Sequence, residues 1–382
     1  MTDIVTPNGA RRLRIVFFSP SFGDGGVERD TVNLANGFSA LGYPVAILLR
    51  QTEGAFQSQL QSGVERIRLP GGRPEASGRA LADYLGAHAV AAVISANDAD
   101  DRIAVRVKAQ LADRSGARFY IRVGTAIISR LREDRLHWLT GGFRRRQLAR
   151  LFLACDGVIT TSTGAARDIV AELGIPPARV TAIPNPTLTA DVERLAAVEP
   201  GHPWFAAGQP PVIMALGRLA RVKDYPTLIR AFAQLRAERA CRLLILGRGR
   251  QRDRLLQLAT RLGVGEDVDL PGFFDNPYAS LRRASLLAVS SLREGGPIVL
   301  IEALALGIPV VSTDCPTGPR EILQDGRYGR LVPPGDPAAL AAAMRETLDN
   351  PPDAALLRQG AAPYTQADSC RRHLQAMGLA PV

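Results

Sequence analysis

The stretch REGGPIVLIEALALGIPVVST runs from Arg293 to Thr313 and contains a turn, a helix and a strand in succession. Pro297 suits the first helical position, where its missing N–H costs nothing. Gly307 suits the position just past a helix end. Between them, IVLIEALAL is good helix material. PVVST then reads as a short buried strand. A helix feeding straight into a buried strand is part of the βαβ repeat from which parallel sheets are built.

The same alternation extends in both directions. LRIVFF (13–18) reads as a buried strand, followed by the small-residue loop SPSFGDGG (19–26) and an amphipathic helix through Leu41. PVAILL (44–49), AVAAVIS (89–95), RFYIRVG (118–124), GVITTST (157–163) and RVTAIPN (179–185) are further strands. The rhythm breaks in the proline-rich segment 184–204 and restarts with PVIMALG (211–217), RLLILG (242–247) and SLLAVS (285–290). The expected fold is α/β, with two doubly wound Rossmann-like domains joined near 187–208. The expected boundaries are 1–190 and 205–362, with a last helix in 363–382 packing back on the first domain. The tail after Asn350 reads as loops plus that helix. Ligands of such sheets bind beyond the carboxyl ends of the strands, so the cleft between two such domains is the expected site.

Composition narrows the function. No run of eighteen uncharged apolar residues is present, which argues against a membrane-spanning helix, and the N-terminus lacks a signal-peptide layout. Cys155, Cys241, Cys315 and Cys370 lie far apart, which fits reduced, buried thiols in a cytoplasmic protein. The four histidines show no metal-ligand spacing. The net charge of +10 favours an anionic partner: a nucleotide diphosphate, an acidic membrane or a nucleic acid. The cations comprise 45 arginines and only two lysines, Lys108 and Lys223, so each lysine is informative.

Three loops carry the candidate chemistry. In the opening stretch, Glu294 precedes a Gly-Gly-Pro turn and Glu302 sits about one and a half turns into the helix. Backbone N–H groups at Gly295, Gly296 and Ile298 point out of such a helix start and favour a phosphate. A carboxylate beside a phosphate repels it, so Glu294 is better matched to ligand hydroxyls. Phosphate and hydroxyls together fit a nucleotide sugar. A solvated glutamate beside an ordinary turn fits this stretch equally well. In the second loop, within 215–232, Arg218 and Lys223 flank the turn between strand and helix, where two cations can hold a diphosphate and stabilise it as a leaving group. In the third, GDGGVE (23–28), Gly25 and Gly26 let a bulky ligand approach the backbone. Neither this loop nor GRGRQR (247–252) completes G-x-G-x-x-G, which counts against a nicotinamide-dependent oxidoreductase. Aromatic content of 5% counts against a nucleic-acid-binding protein, which would interleave aromatics on a basic face.

Taken together, GRL…KD (217–224), the E-G-x-P…E-A stretch (294–303), TDCPTGPREILQDGRYGRLVPPGD (313–336), the GGVE loop and IPNP (183–186) resemble the family 4 retaining glycosyltransferases of the GT-B fold. The resemblance spans nearly the whole chain and is strongest over 211–336. It implies two domains facing across a cleft, with no cofactor and no metal. Glu294 would bind sugar hydroxyls, and Glu302 the ribose. Arg218 and Lys223 would bind the diphosphate. Gly25, Gly26, Gly295, Gly296, Pro297, Ile298 and Val299 would line the donor site, with Gly272 and Phe273 near the base. The expected donor is a UDP-sugar, and the expected acceptor a glycan or lipid-linked sugar in polysaccharide or glycoconjugate assembly. Two features depart from the family pattern. Gly296 stands where an aromatic is common, which widens the sugar pocket. The strand that often ends in histidine ends here in Arg122-Val123-Gly124, leaving Arg122 and His137 as acceptor-side candidates. Finally, the 143–152 segment places Arg144, Arg145, Arg146 and Arg150 on a helix with Phe143, Leu148, Leu151 and Phe152. Such a helix either lies on the anionic inner face of a membrane or packs its apolar side on its own sheet with the arginines solvated.

Overall fold

The computed structural model describes residues 13–19, 25–50, 54, 56–70, 74–124, 127–132 and 137–380. The chain divides into two compact units, one formed by 1–186 with 366–382 and the other by 187–365. The expected boundaries were 190 and 363.

The first unit holds a seven-stranded sheet. Its strands are β1 (Arg14–Ser19), β2 (Val45–Leu49), β3 (Val64–Arg68), β4 (Val90–Ser95), β5 (Arg118–Val123), β6 (Gly157–Thr160) and β7 (Val180–Ala182). The second holds a six-stranded sheet made of β8 (Val212–Leu216), β9 (Arg242–Leu246), β10 (Val268–Gly272), β11 (Leu286–Val289), β12 (Val310–Thr313) and β13 (Arg330–Val332). The strand orders are β3-β2-β1-β4-β5-β6-β7 and β10-β9-β8-β11-β12-β13. Every described pairing in both is parallel. Each order reverses once, between β1 and β4 and between β8 and β11, so each unit is doubly wound. Helices cover both faces, and successive β8 residues alternate between two core layers: Ile213 and Ala215 in one, Val212 and Met214 in the other.

Three strands, β3, β10 and β13, were not anticipated, and all three lie at sheet edges. Edge strands are short or carry charge and proline where inner strands are uniformly apolar. β3 is VERIR with one buried residue, β10 contains Pro271, and β13 is three residues long. The tail also differs from expectation: it contains two helices, Ala354–Ala361 and Gln366–Ala376. The second packs on the first unit's helix Gly26–Ala40. There Cys370 sits so close to Gly37 that a Cβ at that glycine would lie 2.4 Å from its sulfur. Gln366 donates to the Asn33 carbonyl and Ser369 to that of Pro184, both at 2.7 Å. All four cysteines are buried and free.

The basic segment forms the helix His137–Ala154. Leu148, Leu151 and Phe152 join the first unit's core with Ile121 and Val158. Phe143, which the sequence grouped with them, is instead 65% exposed, with Leu153 at 45%. Among the described residues no helix is long and apolar enough to cross a membrane.

Candidate active site

The reversal of strand order between β8 and β11 leaves a crevice beyond their carboxyl ends, the place where open α/β sheets bind ligands. Two loops flank it. The loop after β8 turns at Gly217, whose φ of 143° disfavours a side chain. It then winds through the short turn Arg221–Lys223 before the helix Tyr225–Glu238. The buried Tyr225 hydroxyl donates to the Gly217 carbonyl at 3.1 Å and closes this loop on itself. The loop after β11 carries Ser290 to Pro297 and leads into the helix Ile298–Ala305. Pro297 lies one residue before that helix, as its cap with ψ 98°, not at its first position as the sequence suggested. Gly307, with φ 73°, follows the helix end.

The two loops are joined by backbone and side chain. Leu292 N–H donates to the Val222 carbonyl at 2.8 Å, and the Ser290 hydroxyl to that of Lys223 at 2.7 Å. At their tips the Lys223 ammonium and the Glu294 carboxylate meet at 2.6 Å. The Ser291 hydroxyl donates to the same Glu294 oxygen, Oε1, at 2.5 Å. The loop after β12 supports this arrangement. Thr313 Oγ1 donates to the Ser291 carbonyl at 2.6 Å, and Thr317 Oγ1 to the Glu294 carbonyl. Cys315 is buried beside the pair; burial first, and the Glu294 charge second, push its thiol up to about 12, so it is inert. An ammonium and a carboxylate thus adjoin the start of a helix, where backbone N–H groups and the helix dipole favour an anion.

The donor-side candidates of the second unit, Gly25 and Gly26 lying in the first, are placed as follows. Arg218 is exposed on the β8 loop. Gly296, Ile298 and Val299 are half-buried at the helix start, and Gly295 and Pro297 are buried. Gly272 ends β10, and its carbonyl accepts from Gly247 at 2.7 Å. Phe273 follows, with the Arg248 guanidinium 5.5 Å from its ring centre. Glu302 is 1% exposed and accepts a hydrogen bond from Tyr278 at 3.0 Å.

Two family models cover most of the chain between them: Glycosyltransferase Family 4 over residues 24–190 and Glycosyl transferases group 1 over 203–362. The chain belongs to the family 4 glycosyltransferases. An N-acetylgalactosaminyltransferase of Campylobacter jejuni, named for a diphospho-undecaprenol-linked substrate, is 34% identical over 187 residues, 48% of each chain. The lipopolysaccharide core biosynthesis glycosyltransferase LpsE of Rhizobium meliloti is 38% identical over 136 residues, 36% of this chain and 39% of the other. This chain spans about half the length, or less, of these relatives. Among solved structures, Anabaena Alr3699/HepE in complex with UDP-glucose superposes with a TM-score of 0.77 at 18% identity, over 96% of this chain and 100% of the other.

The other candidates lie in the first unit. Gly25 caps the helix Gly26–Ala40, and a Cβ there would lie 2.4 Å from a Glu28 carboxylate oxygen. The rest of that loop, residues 20–24 with Gly23, falls outside the described residues. Arg122 is 2% exposed and turned inward: its guanidinium donates to Asp30 at 3.1 Å and to Asn185 at 2.5 Å. It is therefore not presented to solvent. His137 begins its helix, but its side chain falls outside the described residues. The sequence reading missed Ser291, Thr317, Tyr225, Tyr278 and Arg248. Only Ser291 carried a signal, as a hydroxyl residue three positions before Glu294.

Proposed function

We propose that this glycosyltransferase moves a sugar, with retention of anomeric configuration, from a UDP-linked donor to a glycan or lipid-linked sugar in polysaccharide or glycoconjugate assembly. The observation that carries the reading is the Lys223–Glu294 pair at the switch point of the second sheet, against the Gly295–Pro297 turn. The diphosphate lies at the helix start, held by Lys223 and Arg218, and gains charge on its leaving oxygen as the glycosidic bond breaks. Cations fixed there stabilise the transition state more than the ground state. Both described bonds to the Glu294 carboxylate use Oε1, and Oε2 takes a sugar hydroxyl. Glu302 takes the ribose, and Phe273 lies by the base. These residues supply the positive charge at the leaving group themselves, so no metal enters the scheme.

The names of relatives support the acceptor class, and the UDP-glucose complex of HepE supports the donor class. The test is a panel of UDP-, GDP- and ADP-sugars with EDTA present, read by nucleotide release and by the anomeric proton of the product. Release from UDP-sugars with an unchanged anomer fits the proposal. Release only with added metal, an inverted product, or no nucleotide binding overturns it.

The same enzyme works at the cytoplasmic surface of an anionic bilayer. Phe143, Arg146, Arg150 and Leu153 are spaced by three, four and three residues, so they share one exposed face of the helix His137–Ala154. Exposed apolar side chains interleaved with arginines complement an anionic interface.

A further inference from the structure

Thr317 is a β-branched residue in the left-handed region, with φ 61°. A side chain branched at Cβ is a rare occupant of that region, and such outliers persist only where the surroundings over-determine them. The surroundings are the turn that carries Glu294. Thr317 Oγ1 donates to the Glu294 carbonyl. The next residue, Gly318, has φ 86°, and a Cβ there would lie 2.7 Å from Pro297 Cδ and 3.0 Å from the Gly295 carbonyl oxygen. Four residues earlier, Thr313 Oγ1 holds the Ser291 carbonyl at 2.6 Å. The loop after β12 is therefore tied to the loop after β11 at both ends of the Ser291–Glu294 segment. That segment aims the carboxylate at Lys223.

We propose that Thr317 is a positioning residue for the transfer reaction. Its hydroxyl fixes the Glu294 backbone, its strained backbone brings that hydroxyl within reach, and the Glu294–Lys223 geometry depends on both. The inference rests on the proposed roles of Glu294 and Lys223. Glycine, the residue that left-handed backbone normally selects, would relieve the strain but lose the tie.

Three variants separate positioning from simple folding. Thr317→Ser keeps the hydroxyl, Thr317→Val keeps the shape without it, and Thr317→Gly removes both hydroxyl and strain. The expected result is near wild-type kcat for serine. For valine and glycine we expect a fall of about tenfold, the size of one lost hydrogen bond. Donor KM should change little, and the Tm of the glycine variant should equal or exceed that of wild type. A glycine variant with full kcat overturns the proposal, and so does a loss of kcat that merely follows a loss of Tm. Hydrogen exchange at the amides of Glu294, Gly295, Gly296 and Ile298 tests the tie independently of activity. It should speed up in the valine variant and not in the serine variant, and equal rates in all three proteins reject the tie. If wild type turns over no nucleotide sugar while exchange behaves as expected, the functional reading fails and the tie stands.

Discussion

At the scale of single residues, the pair at the crevice is the most exacting test. Lys223→Ala should lower kcat by on the order of 10²–10³, the usual effect of removing one fixed group that stabilises transition-state charge. UDP affinity should fall less, because the charge on the leaving oxygen is greatest in the transition state. Steady-state kinetics alongside calorimetry separate the two, and a loss of affinity with kcat unchanged would mean uniform binding instead. Glu302 behaves differently from a surface ribose ligand. It is 1% exposed and bonded to Tyr278, so Glu302→Ala removes a buried hydrogen bond to a carboxylate and should cost about 1–3 kcal/mol of stability as well as UDP affinity. Comparing the Tm of the alanine and glutamine variants resolves the structural share. Asp101, 4% exposed at the start of the helix Asp98–Leu111, has a carboxyl that burial, with Asp98 and Asp100 nearby, pushes up to about 8. Folding therefore binds a proton here. The cost of burial is absent below about pH 4, where the unfolded carboxyl is also protonated, and grows up to about pH 8. Asp101→Asn should leave Tm near wild type at pH 4 and raise stability by on the order of a few kcal/mol at pH 8. A pH-independent effect would contradict the assignment.

Among the elements, the helix His137–Ala154 shows how far periodicity can be trusted. The sequence grouped Phe143 with Leu148, Leu151 and Phe152, yet only the last three reach the core. The five residues from Phe143 to Leu148 turn the helix by about 500° at 100° each, which places Phe143 some 140° from that side chain. The membrane prediction therefore belongs to Phe143, Arg146, Arg150 and Leu153. Arg145 is already paired with Glu172 at 3.0 Å. Replacing Phe143 and Leu153 by serine should weaken co-sedimentation with acidic vesicles at any salt. Replacing Arg146 and Arg150 by glutamine should matter only at low salt, at about 1 kcal/mol per charge. Unchanged sedimentation of all four substitutions together would remove this helix from the membrane account. Strand prediction shows the same limit from another side: inner strands are legible because both faces are buried, and β3, β10 and β13 are not because an edge tolerates charge, proline and brevity.

For the whole molecule, the last helix completes the first unit from the far end of the chain. His373 is fully buried there, and burial, with the Arg122 charge adding, pushes its imidazole down to about 3, so it stays neutral. Ending the chain at Thr365 would expose the core around Phe38 and remove the buried Leu374 and Met377, each contributing about 1.5–3 kcal/mol. Calorimetry should then show the first unit melting earlier with the 187–365 unit unchanged, and a parallel fall of both would mean they do not melt independently. The sequence by itself determined the two α/β units, the inner strands, the break between the units, and the placing of Lys223 and Glu294 on loops that follow strands. These follow from hydrophobic period and turn chemistry, which are local. Only the tertiary structure decided that β8 and β11 are neighbours although they are far apart in the chain, and so that these two loops meet. It also decided that Arg122 and Glu302 turn inward and that Thr317 holds the Glu294 turn. Strand order and side-chain partners are set by the packing of the whole sheet, to which a local pattern of residues carries no direct reference.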